Sequence, residues 1–332
     1  MDAGTTYFFI TGTSRSGTTL IQAMLSRGEG VFIPPETHFM PLLWKHRRRL
    51  GDIESEAGWN AAKRAIRQRN AIAGIEMNDA RFENLTAERP RGYGTLLRAW
   101  LHAAAEEHAR KENAFPSIIG EKSPVHTVYV PQLLSMFPDA SFVHIVRDPR
   151  DVAVSQAEAW GTPVMSSAVR WLFDQRAELH AEQLLKPERF AMLRYEDLVT
   201  EPEREIRKAC DALGVAYRDE MLHPQLRSQP GFAEREAHKK RTLEAVTDSR
   251  VGRHRRALSP GSIAAIEFVC GGQMRRLGYH PDGPPRWRGA MEAALRCPAM
   301  AWRKFRRRSP AHHIARRAGA DRGTSQDRQP VK

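Results

Sequence analysis

Apolar residues gather in five short runs, and the chain between them carries charge at helical spacing. The first run, Tyr7-Phe8-Phe9-Ile10-Thr11, is aromatic and β-branched, which predicts a buried parallel strand. Gly12 to Thr19 follows, after which Leu20, Ile21, Met24 and Leu25 fall on one helical face. Strand, glycine-bounded loop and helix make the outline of a phosphate-binding βα unit. Val31-Phe32-Ile33 predicts a second strand, stopped by Pro34-Pro35. Ser117–Gly120, Ser141–Val146 and Phe190–Arg194 predict three more, the Ser141 run being the clearest. Residues 53–111 read as helical and charged, broken around Arg89-Pro90-Arg91-Gly92. That stretch is too polar for the sheet and is expected to form a helical cap insertion. From Thr200 to Gly278 the pattern is again helical. Strands alternating with helices imply an α/β, three-layer P-loop-type fold, its parallel sheet flanked by helices.

Composition adds charge to this picture. Among 332 residues, 52 Lys and Arg stand against 39 Asp and Glu, a formal net charge of +13, which favours anionic partners. Many of the arginines lie beyond Gly283, which divides the chain into a domain over 1–282 and a basic, partly disordered extension over 283–332. In the extension Trp287, Met291, Leu295, Trp302 and Phe305 recur at helical spacing among arginines, with Pro298 as a kink. Such a segment can lie on an anionic membrane, or it can pack back on the domain as a helix with a solvated tail. The three cysteines, Cys210, Cys270 and Cys297, lack metal-ligand spacing and suit a reducing compartment. No secretory signal or run of membrane-spanning length is present, so a cytoplasmic protein, peripheral to a membrane at most, is expected. No nucleic-acid-binding motif accompanies the charge, and no nucleic-acid partner is expected.

The candidate chemistry begins in the loop. Gly12-Thr13-Ser14-Arg15-Ser16-Gly17-Thr18-Thr19 has the spacing of a phosphate loop, whose inward N–H groups and following helix bind an anion. A tight strand-to-helix turn capped by Thr18 or Thr19 would look alike. A nucleoside-triphosphate loop carries Lys before its Ser/Thr to reach the β- and γ-phosphates. Here that position is Thr18, and the basic residue is Arg15, so the loop suits a monophosphate-type group without Mg²⁺.

Three other strand ends carry polar groups. Arg147 follows the clearest strand, and Ser155 lies eight residues on, about two helical turns away. The two can clasp an anion, or Arg147 can pair with Asp148 or Asp151. Pro34-Pro35 presents Glu36 after the second strand, where it can act at the sheet edge or cap a helix. Gly120-Glu121-Lys122-Ser123-Pro124 closes the third, with Lys122 either functional or in an exposed pair with Glu121.

Ser14-Arg15-Ser16-Gly17-Thr18-Thr19-Leu20 together with Ile145-Val146-Arg147-Asp148-Pro149-Arg150-Asp151 resembles the sulfotransferases that use 3′-phosphoadenosine-5′-phosphosulfate (PAPS), in their bacterial carbohydrate or lipid and tyrosylprotein branches. The resemblance runs from about Tyr7 to Tyr279. It implies that Arg15, Ser16, Gly17, Thr18 and Thr19 hold the 5′-phosphosulfate, and that Arg147 and Ser155 hold the 3′-phosphate. Tyr195, in Leu193-Arg194-Tyr195-Glu196-Asp197-Leu198, would approach the adenine. Arg253, in Ser249-Arg250-Val251-Gly252-Arg253-His254-Arg255, would close over the 3′-phosphate, although His254 stands where the family usually has Trp. It further implies Glu36 as general base, with His38 and His126 as rivals, and Lys122 with Arg15 as an electrostatic clamp. The acceptor would be hydroxyl-bearing, a sugar or glycolipid ahead of a peptide tyrosine, and the transfer in-line and metal-independent. Two other readings stand beside this one: an atypical P-loop kinase or NTPase, and a non-enzymatic basic protein that binds nucleotide or membrane.

Overall fold

The structure, a computed structural model, describes residues 4–112, 114–224 and 247–282. Its five strands, β1 (Thr6–Gly12), β2 (Val31–Phe32), β3 (Ile118–Lys122), β4 (Ser141–Val146) and β5 (Phe190–Arg194), coincide with the five apolar runs. They pair in parallel in the order β2-β3-β1-β4-β5. Helix α1 (Thr18–Leu25) follows β1, and α2 (Arg47–Leu50), α3 (Glu56–Ala73), α4 (Asp79–Ala87) and α5 (Tyr93–Glu112) separate β2 from β3. Helix α6 (Val130–Met136) precedes β4, and α7 (Pro149–Trp160) and α8 (Val164–Leu184) connect β4 to β5. Beyond β5 come α9 (Tyr195–Thr200), α10 (Pro202–Leu213), α11 (His254–Ala257) and α12 (Pro260–Arg276).

A strand between two neighbours and under helices on both faces must be apolar throughout, and β4 is buried at every position. On one face Phe9, Ile119 and Phe142 pack with Trp59, Ile66, Phe82, Leu97 and Trp100 of α3, α4 and α5. On the other, Phe8, Ile10, Val143 and Ile145 meet Ile21 and Met24 of α1 and Ile206 and Leu213 of α10. A third cluster, including Val152, Trp171, Ile266 and Met274, joins α7, α8 and α12.

The stretch expected to be a cap does more than that. Leu96, Leu97, Trp100, Leu101 and Ala104 of α5 are buried in the cluster that covers the sheet, so α5 belongs to a main layer. Fully burying one large apolar side chain contributes roughly 1.5–3 kcal/mol, so a narrow apolar stripe docks a helix that is otherwise charged.

The register determines what meets at the carboxyl edge. Ile10 lies opposite Lys122, and Gly12 opposite Ile145, two residues short of Arg147. Phe32 lies opposite Ile119, so the chain leaving β2 runs past the end of β3, where Glu36 meets Lys122. Arg194 faces Val146, which leaves Tyr195 beside Arg147. A separate groove lined by Gly4, Thr5, Arg81, Glu106 and Phe115–Ser117 lies at the amino ends of β1 and β3.

No helix among the described residues is long and apolar enough to cross a membrane. Cys210 and Cys270 are buried free thiols, and burial pushes Cys210 up to about 11, which leaves it inert as a nucleophile. Cys297 and the basic segment from Trp287 to Phe305 lie outside the described residues.

Candidate active site

The loop after β1 is built on unusual backbone. Gly12 (φ 148°) and Gly17 (φ 102°) take conformations that side chains rarely adopt, and Arg15 does so at φ 77°. A Cβ on Gly12 would stand 2.4 Å from the Ile145 carbonyl oxygen, and one on Gly17 would stand 2.7 Å from the Tyr195 ring. Gly12→Ala is therefore expected to lower the unfolding free energy by about 2 kcal/mol or more, measured by urea denaturation. The N-cap of α1 is Gly17 and carries no side-chain cap, so neither Thr18 nor Thr19 plays the capping role an ordinary turn would give it. The N–H groups of Gly17, Thr18 and Thr19 have no acceptor among the described residues, and they open the positive end of α1. The Ser16 hydroxyl is buried beside them, also without a partner among the described residues.

Three side chains from elsewhere hold this loop. The Thr127 hydroxyl accepts the Gly12 N–H at 2.8 Å, Gln156 donates to the Ser14 carbonyl at 2.9 Å, and Arg147 donates to the Arg15 carbonyl at 3.2 Å. Arg15 Nε donates to the Ser155 hydroxyl at 3.1 Å, and its guanidinium lies 5.7 Å from the centre of the Trp160 ring. Ser155 thus meets Arg15, rather than Arg147, in this structure.

Arg147 is almost fully buried. It donates to the Arg250 carbonyl at 2.6 Å, and its guanidinium sits 4.3 Å above the centre of the Tyr195 ring. Its Nε has no partner among the described residues. The pairing with Asp148 that would make Arg147 structural goes to Arg150, which contacts both Asp148 oxygens. Trp171 anchors the Arg147 carbonyl from α8 at 2.9 Å. Tyr195 is packed between Gly17 and Arg147. Arg253 is held by Glu158 of α7, at 2.5 and 3.1 Å.

The β2 and β3 ends form a chain of polar contacts. Lys122, fully buried, ion-pairs with Glu36 Oε1 and reaches the Thr19 hydroxyl at 3.3 Å. His38 Nε2 lies 2.8 Å from the other Glu36 oxygen, on a residue whose φ of 52° is itself left-handed. Beneath them Glu121 is buried: its Oε1 accepts the Thr37 N–H and hydroxyl at 3.3 and 2.7 Å and the Ser123 hydroxyl at 2.6 Å, and its Oε2 lies 2.7 Å from His126 Nδ1. Burial alone would raise the Glu121 pKa, but the neighbouring His126 and the hydroxyls of Ser123 and Thr37 outweigh it and hold the carboxyl below its usual range. His126 Nε2 accepts the Met40 N–H at 3.3 Å, so this ring is fully buried with both nitrogens facing the interior. Arg69 of α3 clamps the same turn, donating to the Glu36 and Thr37 carbonyls at 2.5 and 3.2 Å.

Every residue expected at the site except Arg253 is thus drawn to the carboxyl edge by its own side chain or backbone. Arg69, Thr127, Gln156 and Trp171 support them and were not foreseen. They lie two dozen residues or more from their partners, and nothing local in the sequence marks them.

Comparison with known proteins identifies the family. The chain is 27 % identical over 186 residues to the "Omega-hydroxy-beta-dihydromenaquinone-9 sulfotransferase Stf3" of Mycobacterium tuberculosis, covering 51 % of this chain and 44 % of that protein. Here the chain spans less than half the length of its curated relative. It is 24 % identical over 294 residues to the "Protein-tyrosine sulfotransferase A" of Caenorhabditis elegans, covering 84 % of this chain and 68 % of that one. In fold it is similar to the sulfotransferase domain from the curacin biosynthetic pathway, with a TM-score of 0.57 at 18 % identity, covering 83 % of this chain and 98 % of that domain. The profile of the sulfotransferase family matches residues 8–219, from the first strand through the loop, both carboxyl-edge arginines and α10, and on that match the chain belongs to the sulfotransferase family.

Proposed function

We propose that the chain transfers a sulfuryl group from PAPS to a hydroxyl of an acceptor, in line and without a metal ion. The observation that carries this reading is the pair of buried, unpartnered donors, Ser16 Oγ and Arg147 Nε, at two points of one sheet edge. Buried donors in native proteins are nearly always satisfied, and two at one edge suit a ligand with two anionic groups. PAPS would supply the sulfuryl group, a phosphate leaving group and a second phosphate at the ribose. The N–H groups of Gly17, Thr18 and Thr19 with the Ser16 hydroxyl would hold the 5′ end. Arg147 would hold the 3′-phosphate, joined by Ser155, and Tyr195 supports the Arg147 guanidinium from below. The Arg15–Ser155 hydrogen bond ties the two anion sites together. Arg253, paired with Glu158, would have to leave that partner to meet the 3′-phosphate.

The acceptor side belongs to Glu36, Lys122 and His38. Glu36 takes the hydroxyl proton at a carboxylate oxygen, which makes the attacking oxygen more nucleophilic. Lys122, between Glu36 and Thr19, places positive charge between the base and the loop, where charge grows on the leaving oxygen. His38 orients the second Glu36 oxygen. The acceptor is a hydroxyl compound: sugar and glycolipid hydroxyls are the first to screen, with tyrosine peptides beside them. The division into a transferase domain over 1–282 and a basic extension over 283–332 is part of the same proposal.

Calorimetric titration with adenosine 3′,5′-bisphosphate, with and without Mg²⁺, tests the cofactor. Tight binding of the bisphosphate, unchanged by chelator, is expected alongside little binding of ATP–Mg²⁺. Binding of ATP–Mg²⁺ alone would replace this reading with a kinase or NTPase.

A further inference from the structure

We propose that His254, as an imidazolium, is the positioning residue that latches the segment Ser249–Arg255 against the Arg147 anion site, and that it makes cofactor affinity fall at alkaline pH. The latch rests on the reading of Arg147 as the partner of the 3′-phosphate.

The geometry requires a charged ring. His254 Nδ1 lies 2.8 Å from Asp151 Oδ1, and Nε2 lies 2.8 Å from Asp282 Oδ2. Neutral imidazole carries one N–H, so its other nitrogen would turn a lone pair toward a carboxylate; only the imidazolium donates to both. The His254 side chain is 2 % exposed and that of Asp151 is 1 % exposed, so water cannot replace a lost donor there without movement. Asp151 also accepts the Gly252 N–H at 2.7 Å and the His254 N–H at 2.9 Å, which ties the turn to α7. Two residues before Gly252, the Arg250 carbonyl accepts from Arg147 at 2.6 Å. A contact chain therefore runs from Asp282 through His254 and Asp151 to the segment that touches Arg147. A tryptophan at this position would hold by apolar packing, which does not titrate.

The charges around the ring come from several elements. The start of α7 brings Asp148, Arg150 and Asp151, with Arg147 just before it. Arg150 binds Asp148 at 2.7 Å and Glu267 of α12 at 2.5 Å, and lies 3.5 Å from Asp282. Arg255 contacts Asp282 at 3.0 Å, while Arg253 is turned away to Glu158. Burial by itself would lower the His254 pKa, but its hydrogen bond to Asp151, the charges of Asp148 and Asp151, and its hydrogen bond to Asp282 outweigh it and raise it. A raised histidine pKa fixes the sign. The latch is complete below the ordinary value of about 6.5 and is lost as pH rises through the folded-state value.

The test is calorimetric titration of the full chain with adenosine 3′,5′-bisphosphate from about pH 6 to about pH 9.5, with hydrogen exchange of residues 249–256 followed over the same range. Phosphate gains its second charge near pH 6, so ligand charge is nearly constant above about pH 7. Wild-type affinity should fall by about fivefold or more across the alkaline limb, and exchange of the segment, corrected for its intrinsic pH dependence, should accelerate at the same midpoint. Asp282→Asn, which removes one partner and leaves the core intact, should move both midpoints to lower pH. His254→Gln should bind weakly with no alkaline limb. A wild-type affinity flat in pH, or a midpoint unmoved in Asp282→Asn, overturns the latch. Absence of bisphosphate binding at every pH overturns the cofactor reading instead, and the exchange midpoints of wild type and Asp282→Asn then decide the latch alone.

Discussion

Replacing Glu36 with Gln is expected to lower turnover by about 10²–10⁴-fold while leaving bisphosphate affinity within about threefold of wild type. The amide has the shape of the carboxylate, so its oxygen can still accept from Lys122, and its NH₂ can face His38. What it cannot do is take a proton. The neighbouring substitution is a poorer test. Lys122 is fully buried against Glu36 and Thr19, and Lys122→Ala would leave the Glu36 charge without its partner. Breaking such a pair from one side costs about 3–5 kcal/mol, enough to confuse loss of fold with loss of catalysis. Glu36→Gln changes charge without opening a void, so a kinetic defect with a normal unfolding curve assigns the base. A near-normal rate would transfer that role to His38, the other candidate base in contact with Glu36, and His38→Asn should then carry the defect. His126 is a weaker rival, since its ring is buried and both nitrogens face Glu121 and Met40.

The parts of this site that were legible in the sequence are those that sit next to a strand in the chain. Gly12 to Thr19, Glu36, Lys122 and Arg147 each follow an apolar run directly, so a parallel sheet must deliver them to one edge. Eight-residue spacing correctly placed Ser155 on the second turn of α7, but it could not tell which arginine the hydroxyl would meet. Two guanidiniums converge there from strands β1 and β4, and the left-handed Arg15 brings its Nε to Ser155 while Arg147 is drawn to backbone carbonyls. The α5 layer was illegible for another reason. Its buried stripe includes three consecutive alanines, Ala103 to Ala105, set among His and Glu, and small residues contribute little to an apolar pattern while permitting close packing. The Glu121 network escaped because Thr37, 84 residues away in the chain, must fold against Ser123 and His126 before a buried carboxylate becomes tolerable.

Arg147→Ala should weaken adenosine 3′,5′-bisphosphate binding by roughly 30-fold to several thousand-fold, the range for removing one partner of a buried charge pair, about 2–5 kcal/mol. The guanidinium has two tasks that the experiment must separate. Its Nη1 and Nη2 hold the Arg15 and Arg250 carbonyls, a structural duty, while its Nε faces no partner among the described residues. A ligand lacking the 3′-phosphate distinguishes them. If Arg147 pairs with that phosphate, the variant should bind adenosine 5′-monophosphate about as wild type does, because the lost contact was never made. If the arginine only shapes the loop, both nucleotides should lose affinity by the same factor, since the 5′ cradle around Arg15 would be disturbed for each. Arg147→Lys refines the answer. It keeps the positive charge but not the planar fork that spans two carbonyls and an anion, so partial recovery for the bisphosphate alone is the expected result. The interaction energy between the residue and the 3′-phosphate then follows from the four affinities as a cycle, free of whatever the substitution does to the loop itself.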